Sequence, residues 1–355
     1  MAQPGVRGIY SDAKFKQAKE NIDIVKKTTP ELGDMMTLVT DKDELGKYHH
    51  PKAQGAVVTS IAARVWPYKL VAHILQDLLV SPDLNGTFNL QTLTPAESIS
   101  PTEDGKWLVK TPRGTITAKT LALATNAYTS HLLPSFTQLI VPCRGQMSAL
   151  IPLPSIAGPN RLKTSMGFEG DGLDDYLIQR PTDKGGHLMF GGGGTLGHRF
   201  GITDDSIVDE KTAAYLRREL IDAFGLPERE DEKLEMKAVR EWTGIMGFSR
   251  DEVPWVGPVP GKEGVFVAAG FTGHGMPNAW LSGKAVARMV DSRIAGGQMG
   301  EAVEAARKAT GLPRAYQVSI ERIEKAMAGG RMEERDEAEL SREQRIRETE
   351  GRLHR

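Results

Sequence analysis

The chain has 355 residues, enough for about two domains, and 39% of them are hydrophobic, with 38 glycines besides and no collagen-like period, so neither wholesale disorder nor a fibrous fold fits. Lys and Arg total 45 against 46 Asp and Glu, a net charge of -1 that gives no general pull toward nucleic acid or anionic lipid. Cys143 is the only cysteine, which excludes an internal disulfide and a cysteine-based zinc site.

The first residues, Met1 to Lys16, carry charge and no signal-peptide core, and no uncharged run reaches membrane-helix length. The carboxyl end, Leu353-His354-Arg355, is not the peroxisomal Ser-Lys-Leu address, so a cytoplasmic protein is expected, without nucleic-acid or membrane partners. The oligomeric state is left open.

In chain order, Phe15, Ala18, Ile22 and Val25 recur at helical spacing and predict a surface helix over 11–27, ended by Thr28-Thr29-Pro30. Leu38 to Thr40 reads as a short strand. After Pro67, the residues Leu70, Val71, Ile74, Leu75, Leu78 and Leu79 line one face of an amphipathic helix. Residues 106–110 and 115–118 read as a hairpin, and Leu121 to Thr125 as a strand buried on both faces.

From Ile140 to Gly194 short strands separated by Pro and Gly suggest an α+β unit, followed by a helix at about 209–224. Val265 to Ala269 is a second buried strand that leads through Gly270-Phe271-Thr272-Gly273-His274-Gly275 into a helix over about 277–290. The α/β unit is therefore expected to be discontinuous, with the α+β unit inserted. Residues 331–355 hold fifteen charged side chains, seven positive and eight negative, and read as a solvated helix or a disordered tail.

A strand running into a glycine-rich turn and then a helix gathers backbone N–H groups at the positive end of a helix dipole. Gly270 to Gly275 therefore reads either as a site for an anion or electron acceptor, or as a turn with no ligand. Ala124-Thr125-Asn126-Ala127 lies beyond the carboxyl end of its strand, where open α/β sheets bind ligands. The run Gly191 to Gly194 lacks the following Gly-Lys-Ser/Thr of a phosphate loop and reads as a turn. His49, His50 and His198 have no metal-spaced partners and read as surface or loop histidines. No G-x-S-x-G is present.

Seven motifs in order carry a resemblance: Trp66 to Leu70, Gly114 to Ala118, Ala124 to Ala127, Pro142 to Gln146, Trp242 to Gly247, Asp251 to Gly257 and Gly270 to Met276. Together they resemble the D-amino-acid oxidase, glycine oxidase and sarcosine oxidase family of FAD-dependent oxidoreductases, over roughly residues 30–325. The resemblance implies an α/β plus α+β fold. A Rossmann-like FAD domain would cover 63–133 and 243–295, a mixed-sheet substrate domain 1–62 and 134–242, and a charged helical tail 296–355. It implies oxidation of a C–N bond in a small amine or amino acid, the flavin supplying the redox chemistry.

Carried over by position, the resemblance places Ala124, Thr125 and Asn126 near the ribityl and pyrophosphate region and Ala96 on the adenine side. Gly270, Phe271, Thr272, Gly273, His274, Gly275 and Met276 would cover the pyrimidine edge of the ring. The family's opening unit, a strand, G-x-G-x-x-G, a helix and a strand ending in an acid, has no counterpart at the start of this sequence. The expected alternatives are thus a working enzyme, or a truncated or degenerate relative that holds no flavin. Gly244 stands where some members attach FAD through cysteine, so non-covalent FAD is expected, and Met189 stands where some oxidases place a lysine. Arg144 suits a substrate carboxylate or a structural ion pair. Trp66, Trp242, Met246 and Phe248 suit an apolar wall over the ring, or simply core. No obligatory catalytic acid or base is evident.

Overall fold

The computed structural model describes residues 2–84, 87–194, 196, 199–225 and 235–330. The expectations for His198 and for 331–355 fall outside these residues. The strands are β1 (Ala2–Ile9), β2 (Met36–Val39), β3 (Gly55–Ala63), β4 (Ser98–Pro101), β5 (Trp107–Thr111), β6 (Gly114–Ala118), β7 (Leu121–Leu123), β8 (Ile140–Leu150), β9 (Ser165–Gly170), β10 (Leu173–Gln179), β11 (Leu188–Gly191), β12 (Ala238–Ser249), β13 (Trp255–Pro258) and β14 (Val265–Ala269). The helices are α1 (Asp12–Thr28), α2 (Pro30–Gly33), α3 (Lys42–Lys47), α4 (Pro67–Val80), α5 (Thr129–Leu132), α6 (Glu210–Ala223), α7 (Gly275–Ile294), α8 (Met299–Thr310) and α9 (Ile320–Ala328).

Eight strands form one mixed sheet in the order β12-β8-β11-β10-β9-β1-β3-β2, in which β1 and β9 are parallel and the other pairs antiparallel. A second sheet, β13-β14-β7, contains the parallel pair β14–β7, and β4-β5-β6 is an antiparallel meander. The fold is therefore α/β plus α+β, as expected. The boundary expected at residue 243 lies inside β12, which runs unbroken beside β8.

Helix α6 covers one face of the large sheet. Asp209 caps it, its carboxylate accepting from Thr212 N–H at 2.8 Å. Gln146 on β8 fixes that cap from below, donating to Asp209 O and accepting from Asp209 N, both at 2.9 Å. Leu216, Leu220 and Phe224 then meet Leu150, Phe168, Leu177 and Phe190 of the sheet in one buried cluster. Each such side chain contributes about 1.5–3 kcal/mol on leaving water. In the other half, Ala285, Val286 and Met289 of α7 pack on Val256 and Phe266 of the small sheet, with Ala306 of α8 outside them.

Several expectations need correction. The strand expected over Leu121 to Thr125 covers only Leu121–Leu123 and is not buried on both faces: among the described residues β7 ends its sheet, with Leu123 buried but Ala122 exposed. The amphipathic face of α4 does form a helix, yet none of its residues is buried, and Val71 and Leu79 are each 54% exposed. The stretch from Ile140 contains not only short strands, for β8 has 11 residues. His50 is a core residue, fully buried against Phe168 and hydrogen-bonded through Nδ1 to the Tyr10 hydroxyl at 2.8 Å. Burial, with His49 beside it, lowers its pKa to about 4 and keeps it neutral.

The glycines at 191–194 have a packing reason. A Cβ on Gly192, whose φ is +147°, would lie 1.7 Å from Asp175 Oδ1. That same oxygen accepts from Gly193 N–H at 2.7 Å, and Oδ2 from the Tyr215 hydroxyl at 2.5 Å. The turn wraps a buried carboxylate.

Candidate functional site

Strands β7 and β14 run parallel, so their carboxyl ends open at the same edge of the small sheet. The chain leaves β7 through Ala124 and Thr125 to Asn126, and leaves β14 into Gly270. Asn126 joins the two exits, its Oδ1 accepting from Gly270 N–H at 3.0 Å and from Phe271 N–H at 3.4 Å. This geometry puts Asn126 at φ +46°, a left-handed conformation that Asn tolerates better than most residues. Gly270 at φ +73° lets the turn reverse, and a Cβ there would crowd Ile140 and Trp255 at 3.1 and 3.2 Å.

The large sheet supplies the third side. Thr272 N–H donates to Gly247 O at 2.9 Å, and Ser249 N–H to Thr272 Oγ1 at 3.0 Å. Gly247 must be glycine, since a Cβ would meet Asn126 Oδ1 at 2.6 Å and Ala127 N at 2.8 Å. A Cβ on Gly273 would lie 3.8 Å from the Phe248 ring, so the turn abuts that side chain.

Most amides of the turn are thus already engaged, contrary to the simple picture of a glycine loop with free donors. Gly270 and Phe271 serve Asn126, Thr272 serves Gly247, and His274 N–H donates to Phe271 O at 2.8 Å. What faces outward is the start of α7. His274 provides no side-chain cap for the first-turn N–H groups of Gly275 and Met276, which stand at the positive end of a 20-residue helix. Met276 is 61% exposed.

Cross-strand register decides what faces this turn. Trp242 pairs with Met147 and Met246 with Cys143, while Met147 pairs with Gly191 and Gly191 with Tyr176. Partners in register share a face, so Trp242, Met147, Tyr176, Ile178, Met189 and Met246 stand together, opposite the face that α6 covers. Glycines make the room: a Cβ on Gly145 would meet Met246 Cε at 2.7 Å, and one on Gly191 would meet Met147 Sδ at 2.2 Å. Tyr176 is 49% and Trp242 38% exposed, so this is an open apolar face of the kind that receives a ligand.

Of the side chains expected to form a wall, Trp242 and Met246 share the open face. Phe248 closes its end beside the turn, packed on Val141, Cys143 and Phe200. Trp66 lies at the end remote from Phe248, beside Arg180, whose guanidinium carbon is 4.7 Å from the indole centroid. Arg144 pairs with Ile245 and therefore points to the α6 side. There its charge acts on Asp209, whose carboxylate is held low first by the Thr212 amide, and on Asp204. The carbonyl of Ala96 accepts from the Tyr128 hydroxyl at 3.0 Å, tying the 96 region to the β7 exit. Tyr176, Met147 and Ile178 were not singled out from the sequence; the period-two alternation along β10 was the signal available.

The chemistry fits the electron-rich edge of a flavin ring: an uncapped helix start, small residues at the strand exits, and an apolar face alongside, with no cluster of metal-ligating groups among the described residues. Nor is any helix among the described residues long and apolar enough to cross a membrane.

Glycine oxidase of Pseudomonas aeruginosa is 30% identical over 216 residues, covering 58% of this chain and 53% of that protein. The probable oxidoreductase OrdL of Rhizobium meliloti is 27% identical over 188 residues, covering 52% of this chain and 39% of the relative. The chain thus spans about half or less of the length of these relatives. In fold it is similar to glycine oxidase from Geobacillus kaustophilus, with a TM-score of 0.63 at 18% identity over 81% of this chain and 70% of that one. It is also similar to L-proline dehydrogenase from P. horikoshii, with a TM-score of 0.62 at 20% identity over 88% and 78%. The profile of the DAO family matches residues 3–289, and the chain belongs to this family of FAD dependent oxidoreductases.

Proposed function

We propose that the chain oxidises a C–N bond of a small amine or amino acid with non-covalently held FAD as acceptor. The observation that carries this reading is the uncapped start of α7 beside the open face of the large sheet. When bound, the flavin supplies the two-electron chemistry. The first turn of α7, Gly275 and Met276, would stabilise negative charge on the ring's pyrimidine edge. Asn126 would hold the Gly270 to His274 turn in shape, while Ala124 and Thr125 leave space for the ribityl chain and Ala96 borders the adenine side. Trp242, Met246, Tyr176 and Met147 would exclude water and orient the substrate. No side chain is required to move a proton, which suits a substrate that reacts as the neutral amine.

In this reading 63–133 with 243–295 carry the cofactor, and 1–62 with 134–242 carry the substrate. The sequence similarity to glycine oxidase and OrdL supports the reaction class. The test is an absorbance spectrum of the purified chain after incubation with excess FAD and desalting, then anaerobic addition of candidate amines. A retained two-banded flavin spectrum, bleached by an amine, is expected. A protein that keeps no flavin would instead identify a family member whose fold persists without the cofactor.

A further inference from the structure

Beyond the strand end at Gln179, cations converge. Gln179 is 1% exposed and its amide is fully committed, accepting from Leu162 N–H at 2.6 Å and donating to Ile156 O at 2.8 Å and Gly186 O at 2.9 Å. Its backbone carbonyl is thereby held in one direction, and it accepts from Arg64 Nη1 at 2.9 Å and Arg161 Nη2 at 3.3 Å. Two guanidinium groups share one neutral acceptor, and Arg64 is lowered by burial and then by the charge of Arg161. Arg161 Nε is buried without a hydrogen-bond partner.

Two more cations flank Trp66, two residues beyond Arg64 in the chain. Lys69 Nζ lies 4.5 Å and Arg180 Cζ 4.7 Å from the Trp66 ring centroid. Lys69, Arg161 and Arg180 form no ion pair with a carboxylate among the described residues. Arg161 and Arg180, without a carboxylate partner among the described residues, favour a bound oxyanion, for which their planar donors are matched.

The place of the cluster matters as much as its charge. By strand alternation Arg180 follows Tyr176 and Ile178 on the open face, about 13 Å from Tyr176 at roughly 3.3 Å per residue. It stands at the end of that face opposite Phe248 and the glycine turn, because Gln179 is in register through Leu188 and Leu150 with Ala238, the first residue of β12.

We propose that Arg161 and Arg180, backed by Arg64 and Lys69, bind a carboxylate at the far end of an extended amine substrate. This assignment rests on the open face being the substrate face. It separates the reacting end, over Tyr176 and Trp242, from the recognised acidic end.

Calorimetric titration of the full chain without flavin tests it, using 6-aminohexanoate, its carboxamide analogue and inorganic phosphate. The acid should bind at least about tenfold more tightly than the carboxamide and than phosphate. Arg161→Gln and Arg180→Gln should each remove most of that preference. The Arg180 side chain makes no hydrogen bond within the described residues, so Arg180→Gln remains informative if Arg161→Gln unfolds. Absence of binding, equal binding of the carboxamide, tighter binding of phosphate, or a preference that survives Arg180→Gln would overturn the assignment. Because the readout contains no flavin, such a failure would leave the FAD reading standing, and loss of FAD binding would leave this result intact.

Discussion

The side chain of Asn126 holds the backbone of Gly270, 144 residues away in sequence, through a 3.0 Å hydrogen bond from the glycine amide. Two strand exits are thereby fastened into one rim. Replacement by Ala removes the acceptor for two amides and leaves a Cβ residue at φ +46°. A stability loss of about 1–3 kcal/mol is expected for Asn126→Ala, and any flavin affinity should fall with it. Asn126→Gly, which relieves the backbone strain, should lose less. Denaturant titration of both variants, with and without FAD, separates the two effects.

Asp175 gives a pH signature. Burial pushes its carboxyl up to about 6 despite hydrogen bonds from Tyr215 and Gly193. An acid whose pKa is higher folded than unfolded favours folding below the unfolded value, and that contribution is lost as pH rises through about 6. Asp175→Asn should therefore flatten the stability profile between about pH 4 and 6, by about 2–3 kcal/mol across the window. Unchanged profiles in thermal melts over that range would show that the carboxyl is not buried as described.

Gly192→Ala is expected to be far more damaging than its chemistry suggests. The new methyl would coincide with the Asp175 carboxylate and sit at φ +147°. A loss above about 3 kcal/mol is expected, read as a drop in soluble yield or melting temperature, whereas Gly201→Ala has open space at its Cβ and should pay only for its φ of +74°.

Arg322 binds Asp251 by two hydrogen bonds of 2.8 and 2.9 Å, and its guanidinium carbon is 3.6 Å from the Trp255 ring centroid. Burial works to raise the Asp251 carboxyl, but the hydrogen bonds from Arg322 and Ser249 outweigh it and hold it low. That contribution is present above the unfolded carboxyl pKa and disappears as pH falls through the folded one. Arg322→Gln should cost about 2 kcal/mol at pH 7 and less in acid, as measured by urea unfolding at both pH values.

The exposed stripe of α4 predicts an asymmetry between equally apolar residues. Val71→Lys and Leu79→Lys should change stability by no more than about 0.5 kcal/mol, since neither side chain is buried. Leu216→Ala, in the core under α6, should cost about 2–5 kcal/mol. The wild-type chain should bind a hydrophobic dye in its folded state, and the two lysine substitutions should reduce that signal.

Local chemistry in the sequence determined much of this protein. Pro67 and the apolar spacing after it set α4, Asp209 and its repeat set α6, and the continuous apolar run of 265–269 set β14 next to a glycine turn. Those signals are local, because helix periodicity and turn glycines act within a few residues. The ordered motifs also carried the family, and three of them hold backbone constraints that the structure explains, at Asn126, Gly247 and Gly270. The small residues Gly145, Gly191, Gly192 and Gly247 were visible, but their partners were not. Each is small because a side chain distant in sequence or from a facing strand occupies the space. Which face Arg144 takes, why β7 is an edge, why His50 is core and where Arg161 meets Arg64 were decided only by strand register and packing, because pairing between strands joins residues that the chain itself leaves far apart.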